Sequence, residues 1–182
     1  MKVILLHGLN TNPTEKWYPW LAKEMGQRDI ACVMPALPSP SNPDIAEWVA
    51  ELDKLQPNED TILIGHSRGG VAILQWLEAQ PVALKVKKVI LIATNSGFVQ
   101  KMVIKDETNR GFYTDKGYEF EKIKLHCDDF VIFHSKDDRW VPYKAAVENA
   151  EGLDARLLTF EDRGHFGKEI AEIPKLIEEI LV

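Results

Sequence analysis

Short apolar runs that alternate with amphipathic stretches limit the possible folds of this chain more than any other feature of its sequence. Six such runs are predicted strands, and they span residues 3–6, 30–34, 61–64, 89–93, 130–133 and 156–160. Continuous apolar strands are typical of parallel sheets that are covered on both faces. Predicted helices separate and follow them, over residues 15–27, 44–55, 69–79, 118–126, 143–150 and 174–181. This order predicts an α/β fold, a three-layer α/β/α sandwich around a mostly parallel sheet of about six strands.

One helix start can be read from capping residues. The tripeptide Asn42-Pro43-Asp44 precedes the second predicted helix. Asn is a favoured N-cap, Pro is favoured at the first helical position, and an acid in the first turn stabilises the helix dipole. The sequence therefore predicts an N-cap at Asn42.

Length and composition limit which class of protein this chain can belong to and which partners it can bind. The 182 residues contain no repeat or low-complexity linker, so we expect one domain over residues 1–182. A net charge of −6 without a basic tract argues against nucleic-acid binding. The apolar run at residues 3–6 is too short for a signal peptide, and no stretch approaches the ~20 apolar residues of a membrane span, so we expect no membrane association. Cys32 and Cys127 fit neither a disulfide framework nor a zinc motif, which indicates reduced thiols in a cytoplasmic protein.

The segment Gly65-His66-Ser67-Arg68-Gly69 carries the most specific chemical signal in the sequence. It matches G-x-S-x-G, the sharp strand-to-helix turn that exposes a nucleophilic serine. A side chain at Gly65 or Gly69 would collide with neighbouring backbone, and the following helix directs its positive dipole end at the reacting oxygen. The alternative, a glycine-rich phosphate loop, lacks both G-x-G-x-x-G and a Walker lysine. Ser67 is therefore the predicted nucleophile.

A serine hydroxyl needs a base, and one of the five histidines is suitably placed. His165 follows the last predicted strand in a loop that can reach the carboxyl edge of the sheet, where open α/β sheets bind their ligands. His7 is expected to be a structural hydrogen-bonding residue. A metal cluster of His7, His66 and His134 is conceivable, but no neighbouring acid completes it, so we expect no metal and no cofactor.

The base needs an orienting carboxylate, and two candidates follow the fifth predicted strand. Asp137 and Asp138 are adjacent, and the residues alone do not separate them. Trp140, just beyond, is a candidate wall of the site. The order serine, aspartate, histidine is that of the α/β-hydrolases. An oxyanion would be held by backbone N–H groups, for which the segment Gly8-Leu9 nominates Leu9 and the start of the helix nominates Arg68.

The connection over residues 97–129 is unusually long and contains several aromatic residues. Connections of this length are often binding loops or lids. The alternative is a loop that packs its aromatic side chains beneath itself. Its sequence favours neither.

With these motifs in place, the chain resembles an α/β-hydrolase, and more narrowly the small serine hydrolases related to retinoblastoma-binding protein nine and their bacterial relatives. The similarity runs nearly end to end, through "HG" at residues 7–8, "KWYPW" at 16–20, "MPALPSP" at 34–40, "IGHSRGG" at 64–70, "GFYT" at 111–114, "FEKIK" at 120–124, "KDDRWVP" at 136–142 and "RGHF" at 163–166. The resemblance implies Ser67, His165 and Asp138 as the catalytic residues, because the family's acid precedes x-x-Val-Pro. It also implies that no large cap domain is present.

Two hypotheses follow for the function. The first is a serine hydrolase that cleaves a small ester, thioester or amide through an acyl-enzyme. The second is a protein-interaction module built on a hydrolase scaffold with little catalysis. The sequence leaves open the acyl-chain preference, the leaving group, the oligomeric state and any protein partner.

Overall fold

The computed structural model describes residues 1–97, 111–114 and 116–182, and its six strands form one parallel sheet. The strands are β1 (Lys2–Leu6), β2 (Ala31–Val33), β3 (Thr61–His66), β4 (Lys88–Ile92), β5 (Phe130–Ser135) and β6 (Arg156–Phe160). They lie in the order β2-β1-β3-β4-β5-β6. Every neighbouring pair is parallel.

Six helices of the described residues cover the two faces of this sheet. They are α1 (Tyr18–Gly26), α2 (Ile45–Lys54), α3 (Arg68–Glu78), α4 (Phe120–Lys124), α5 (Tyr143–Leu153) and α6 (Pro174–Leu181). The buried residues of α1 and α6 pack with one set of strand side chains. Those of α2, α3, α4 and α5 pack with the opposite set. The predicted three-layer α/β/α arrangement is confirmed.

Burial along the strands explains why their apolar residues are continuous rather than alternating with polar ones. All residues of β3, β4 and β5 are buried, as are the last four residues of β1. The edge strands β2 and β6 are partly exposed. Strands covered on both faces gain stability from apolar residues at every position.

The predicted elements all occur, with shifts at their ends. Helix α1 begins at Tyr18 rather than at residue 15, and α4 is shorter than predicted. The prediction of an N-cap at Asn42 is wrong. The cap is Asp44, whose side chain accepts a hydrogen bond from the backbone N–H of Ala46. Asp and Asn both have a short side chain with an acceptor oxygen, so the sequence alone does not decide which of the two caps the helix.

The long connection is described only in part, and residues 98–110 and 115 lie outside the described residues. The prediction of a lid over residues 97–129 therefore stays a prediction. Phe112 is fully buried and packs edge-on against Trp48, with ring centroids 5.2 Å apart. Tyr118 is buried as well and donates a hydrogen bond to the carbonyl of Asn95. No large cap domain occurs within the described residues, and none of their helices is long and apolar enough to cross a membrane.

Candidate active site

Three loops at the carboxyl edge of the sheet bring the predicted site residues together. Ser67 lies between β3 and α3, Asp138 follows β5, and His165 follows β6. Because the strands are parallel, their carboxyl ends meet at the same edge. Residues far apart in sequence therefore share one site.

The backbone at Ser67 is strained, as a sharp strand-to-helix turn requires. Its φ of 55° and ψ of −121° lie in a region that residues with side chains rarely occupy. Glycines make this turn possible. A Cβ on Gly65 would lie 2.3 Å from the Cα of Gly70, and a Cβ on Gly69 would lie 2.1 Å from the carbonyl oxygen of Leu6.

A continuous chain of hydrogen bonds links the serine to the aspartate. His165 Nε2 lies 2.9 Å from Ser67 Oγ, and His165 Nδ1 lies 2.7 Å from Asp138 Oδ2. The other oxygen, Asp138 Oδ1, accepts the backbone N–H groups of Trp140 at 2.8 Å and Val141 at 3.0 Å. The Asp138 side chain is fully buried. These bonds fix the carboxylate in one orientation, with one oxygen directed at the imidazole.

The neighbouring carboxylate, Asp137, has a different set of contacts. Its Oδ1 accepts the hydroxyl of Ser135 at 2.5 Å and the backbone N–H of Gly164 at 2.9 Å. These two bonds hold the pKa of Asp137 below its usual range. Asp137 therefore ties the loop of His165 to the end of β5, but it does not contact the imidazole.

A buried pair behind the serine supports the histidine loop. His66 Nε2 lies 2.8 Å from the carbonyl oxygen of His165, and His66 Nδ1 lies 2.7 Å from the hydroxyl of Tyr18. Burial, reinforced by the nearby charges of Lys16 and His165, holds the pKa of His66 well below its usual value, so the ring is neutral. The neutral ring donates from Nε2 and accepts from Tyr18 at Nδ1. No sequence motif indicates this connection.

Two further buried histidines have structural partners. The backbone N–H of Leu37 donates to His7 Nε2 at 3.1 Å, and His7 Nδ1 bonds the carbonyl of Gly8 at 2.9 Å. His134 Nε2 donates to the carbonyl of Val141 at 3.0 Å. Burial lowers the pKa of both rings. Within the described part of the chain, no group of three metal-binding side chains converges on one point.

Ser67 and His165 line an open cleft of about 1040 Å³. Leu9 and Arg68, the predicted oxyanion donors, line the same cleft, and Arg68 is the first residue of α3. The guanidinium of Arg68 lies 5.1 Å from the ring centroid of Phe112, a cation–π contact that fixes its side chain. Trp140 is 81% exposed and forms part of the cleft wall, as one reading of the sequence expected.

The parallel sheet with two helical layers and the serine at the turn after its third strand define an α/β-hydrolase. Within that class, the chain belongs to the serine hydrolase family, whose family model matches residues 3–171. The resemblance seen in the sequence motifs is thereby confirmed.

Individual relatives agree with this assignment. The serine hydrolase RBBP9 of Rattus norvegicus is 31% identical over 171 residues, which cover 92% of this chain and 88% of that protein. The crystal structure of the ydeN gene product of Bacillus subtilis matches with a TM-score of 0.88 and 25% identity, covering 99% of this chain and 96% of that one. The esterase EaEST of Exiguobacterium antarcticum shares the fold, with a TM-score of 0.74 and 16% identity over 100% of this chain and 90% of that one.

Proposed function

We propose that this serine hydrolase cleaves a small ester, thioester or amide through an acyl-enzyme on Ser67. The observation that carries the proposal is the 2.9 Å distance between Ser67 Oγ and His165 Nε2 at the floor of an open cleft. A serine hydroxyl becomes an effective nucleophile only when a base within hydrogen-bond reach accepts its proton. The distance lies within that reach.

The reaction proceeds in two halves. Ser67 Oγ attacks the substrate carbonyl while His165 Nε2 accepts the hydroxyl proton. The tetrahedral intermediate then collapses, and the imidazolium gives that proton to the departing oxygen, sulfur or nitrogen. In the second half, His165 removes a proton from water, which attacks the acyl-enzyme. The imidazolium then returns the proton to Ser67 Oγ as the acid product leaves.

Asp138 controls which nitrogen of His165 carries the proton. Its Oδ2, 2.7 Å from Nδ1, accepts a hydrogen bond from the N–H at that position, which leaves the Nε2 lone pair directed at Ser67. Once Nε2 is protonated, the carboxylate stabilises the imidazolium. The two backbone N–H groups that Asp138 accepts prevent it from turning away.

The developing oxyanion is stabilised by backbone donors at the same end of the sheet. The N–H of Arg68 lies in the first turn of α3, where the helix dipole is positive. The N–H of Leu9 follows β1, and Gly8 beside it lies close to Ser67, since a Cβ on Gly8 would be 3.1 Å from the serine Cβ. Donors arranged in this way before the reaction stabilise the transition state more than the ground state.

A fluorophosphonate probe tests the proposal directly. It reacts with a serine only where a base activates the hydroxyl, so we expect wild-type protein to be labelled and Ser67→Ala to remain unlabelled. Circular dichroism of the variant provides the folding control. A correctly folded wild type that is neither labelled nor able to hydrolyse p-nitrophenyl esters would favour the alternative, an interaction module with an inactive site.

A further inference from the structure

The cleft around Ser67 is richer in positive charge than the chain as a whole. The chain has 22 Lys and Arg residues against 28 Asp and Glu residues. Among the described residues that line the cleft, the balance is reversed, with five cationic side chains and three acidic ones. The cationic ones are Lys16, Arg68, Arg139, Arg163 and Lys168. Such a cleft attracts anions although the whole protein is acidic.

The acidic side chains of the cleft have local partners. Asp137 accepts from Ser135 and Gly164, as described above. Glu169 Oε1 accepts the backbone N–H of Gly167 at 3.2 Å. The third acid, Asp162, lies 3.7 Å from the guanidinium of its sequence neighbour. These neighbouring groups therefore partly compensate the three negative charges.

Lys16 is a partly buried cation of the cleft with no ion-pair partner among the described residues. Its side chain is half-buried, and its Nζ forms no hydrogen bond and no ion pair with another described residue. The adjacent Glu15 is engaged elsewhere, since its carboxylate accepts from Thr11 at 3.1 Å and Asn12 at 2.9 Å. An ammonium that is removed from water without a partner lowers the stability of the fold.

The pKa of Lys16 reflects this environment. Burial lowers it to about 8, with the nearby carboxylates of Glu15 and Glu169 opposing the shift and the ammonium of Lys168 adding to it. Its backbone φ of 59° also lies in the left-handed region, which is unfavourable for a residue with a side chain. The fold thus holds a destabilised lysine in the cleft that Ser67 also lines.

Lys16 also lies close to the residues that flank the nucleophile. Beyond the larger effect of burial, its charge lowers the pKa of both His7 and His66. His66 immediately precedes Ser67, and His7 precedes Gly8, which approaches the serine from β1. A small substrate held at Ser67 can therefore place a second group near Lys16.

We propose that the substrate of this enzyme carries an anionic group, a carboxylate or a phosphate, that pairs with the Lys16 ammonium while its acyl carbonyl lies at Ser67. The inference rests on the proposed function and adds the chemical class of the substrate. The bound anion would form the ion pair that no described residue forms with the Lys16 ammonium. Neutral esters of the same length lack this interaction and should be poorer substrates.

Two pairs of esters test the proposal and locate the anion. On the acyl side, the 4-nitrophenyl monoester of glutaric acid is compared with 4-nitrophenyl methyl glutarate. On the leaving-group side, the butanoate ester of 4-hydroxybenzoate is compared with that of methyl 4-hydroxybenzoate. Each pair differs mainly in one negative charge. We expect the wild type to favour the charged member of at least one pair, after correction for uncatalysed hydrolysis.

Variants of Lys16 assign that preference to the ammonium. In Lys16→Met, we expect the charged-to-neutral ratio of kcat/KM to fall about 10- to 100-fold, as for the loss of a hydrogen-bonded charge pair. Lys16→Arg keeps the charge and should keep most of the ratio. Lys23→Met removes the same charge from an exposed position of α1 outside the cleft, so it controls for net charge. Changes in intrinsic ester reactivity cancel when these ratios are compared.

The ratio should also depend on pH. Lys16 is protonated below about 8 and neutral above it, so the preference for the charged ester should decline as pH rises through that value. The charged groups that face it are the carboxylates of Glu15 and Glu169 and the ammonium of Lys168. Any pH dependence that both members of a pair share cancels in the ratio. Lys16→Arg should abolish the decline.

The outcomes separate this inference from the proposed function. If the wild type hydrolyses both neutral esters as well as their charged partners, or if Lys16→Met leaves the ratio unchanged, the inference is wrong while the proposed function stands. If no ester is turned over and the fluorophosphonate fails to label Ser67, both are wrong. Glutarate that protects Ser67 from labelling better than dimethyl glutarate, in wild type but not in Lys16→Met, would support the inference independently of turnover.

Discussion

Replacing Asp138 by Asn tests the role of the carboxylate with a nearly isosteric change. In the wild type, Oδ1 accepts two backbone N–H groups while Oδ2 faces His165 Nδ1. An asparagine has one oxygen, which those N–H groups will retain. Its NH₂ then faces Nδ1 and can bond only an unprotonated nitrogen. The imidazole must move its proton to Nε2, where it can no longer accept the proton of Ser67.

The magnitude follows from the bonds at stake. Turning the amide to restore an oxygen toward His165 would break two backbone hydrogen bonds, which together contribute about 1–3 kcal/mol. The reversed amide would also direct its NH₂ at those N–H groups. The enzyme therefore remains in the wrong tautomer, for which a loss of about 10⁴ in kcat is expected, or roughly 5 kcal/mol of transition-state stabilisation.

The assay is kcat/KM for a p-nitrophenyl ester, together with the rate of fluorophosphonate labelling. Asp137→Asn is the matched control, because its amide oxygen can still accept from Ser135 and Gly164. We expect that variant to lose less than about tenfold, since only the charge of those hydrogen bonds is lost. Thermal unfolding of both variants excludes a folding defect. A larger loss in Asp137→Asn than in Asp138→Asn would refute the assignment.

Three further predictions concern stability and pH. Gly69→Ala should lower the free energy of unfolding by about 3 kcal/mol in urea titrations, because its Cβ would overlap the Leu6 carbonyl. Gly26→Ala is the control and should not destabilise the protein, because nothing lies within 4 Å of a Cβ at that position. Tyr18→Phe removes the hydroxyl that bonds His66 Nδ1, so it should lower the free energy of unfolding by about 1–3 kcal/mol and reduce kcat, while Ser67 is still labelled at a lower rate. Unchanged stability and kcat would contradict this hydrogen bond. Because the pKa of His66 is lowered in the folded protein, the unfolded chain binds a proton below pH 6.5 that the folded chain does not bind. The stabilising contribution of the neutral ring is therefore present above pH 6.5 and falls by up to about 1.4 kcal/mol per pH unit below it. Measurements of unfolding at pH 5–7 should reveal this slope, and a flat profile would disprove it.

Much of the fold was predictable because its signals are local. Apolar runs of four or five residues mark each buried strand, and helical periodicity marks the stretches between them. The G-x-S-x-G motif places Ser67 at the turn by sterics alone. His165 followed from topology, because a parallel sheet brings the loop after its last strand to the same edge as the turn after its third.

The contacts that the sequence could not predict depend on three-dimensional packing. Asp137 and Asp138 are chemically identical neighbours, and the direction of the chain in a tight turn decides which one faces the imidazole. Only the family resemblance favoured Asp138. The bond between Tyr18 and His66 joins α1 to β3, and no local pattern signals it. Among the described residues, the Lys16 ammonium has no ion-pair partner, and no sequence pattern indicates this, because the lack of a partner depends on the three-dimensional packing.

The wide sequence separation between Ser67 and His165 has a consequence for biosynthesis. Ser67 precedes His165 by 98 residues, and the buried ring of His66 bonds the carbonyl of His165 only when the final loop has docked. While the ribosome is still making the second half, the Ser67 hydroxyl is present without the His165 ring. Under the proposed function, hydrolytic activity therefore begins only after synthesis has passed β6.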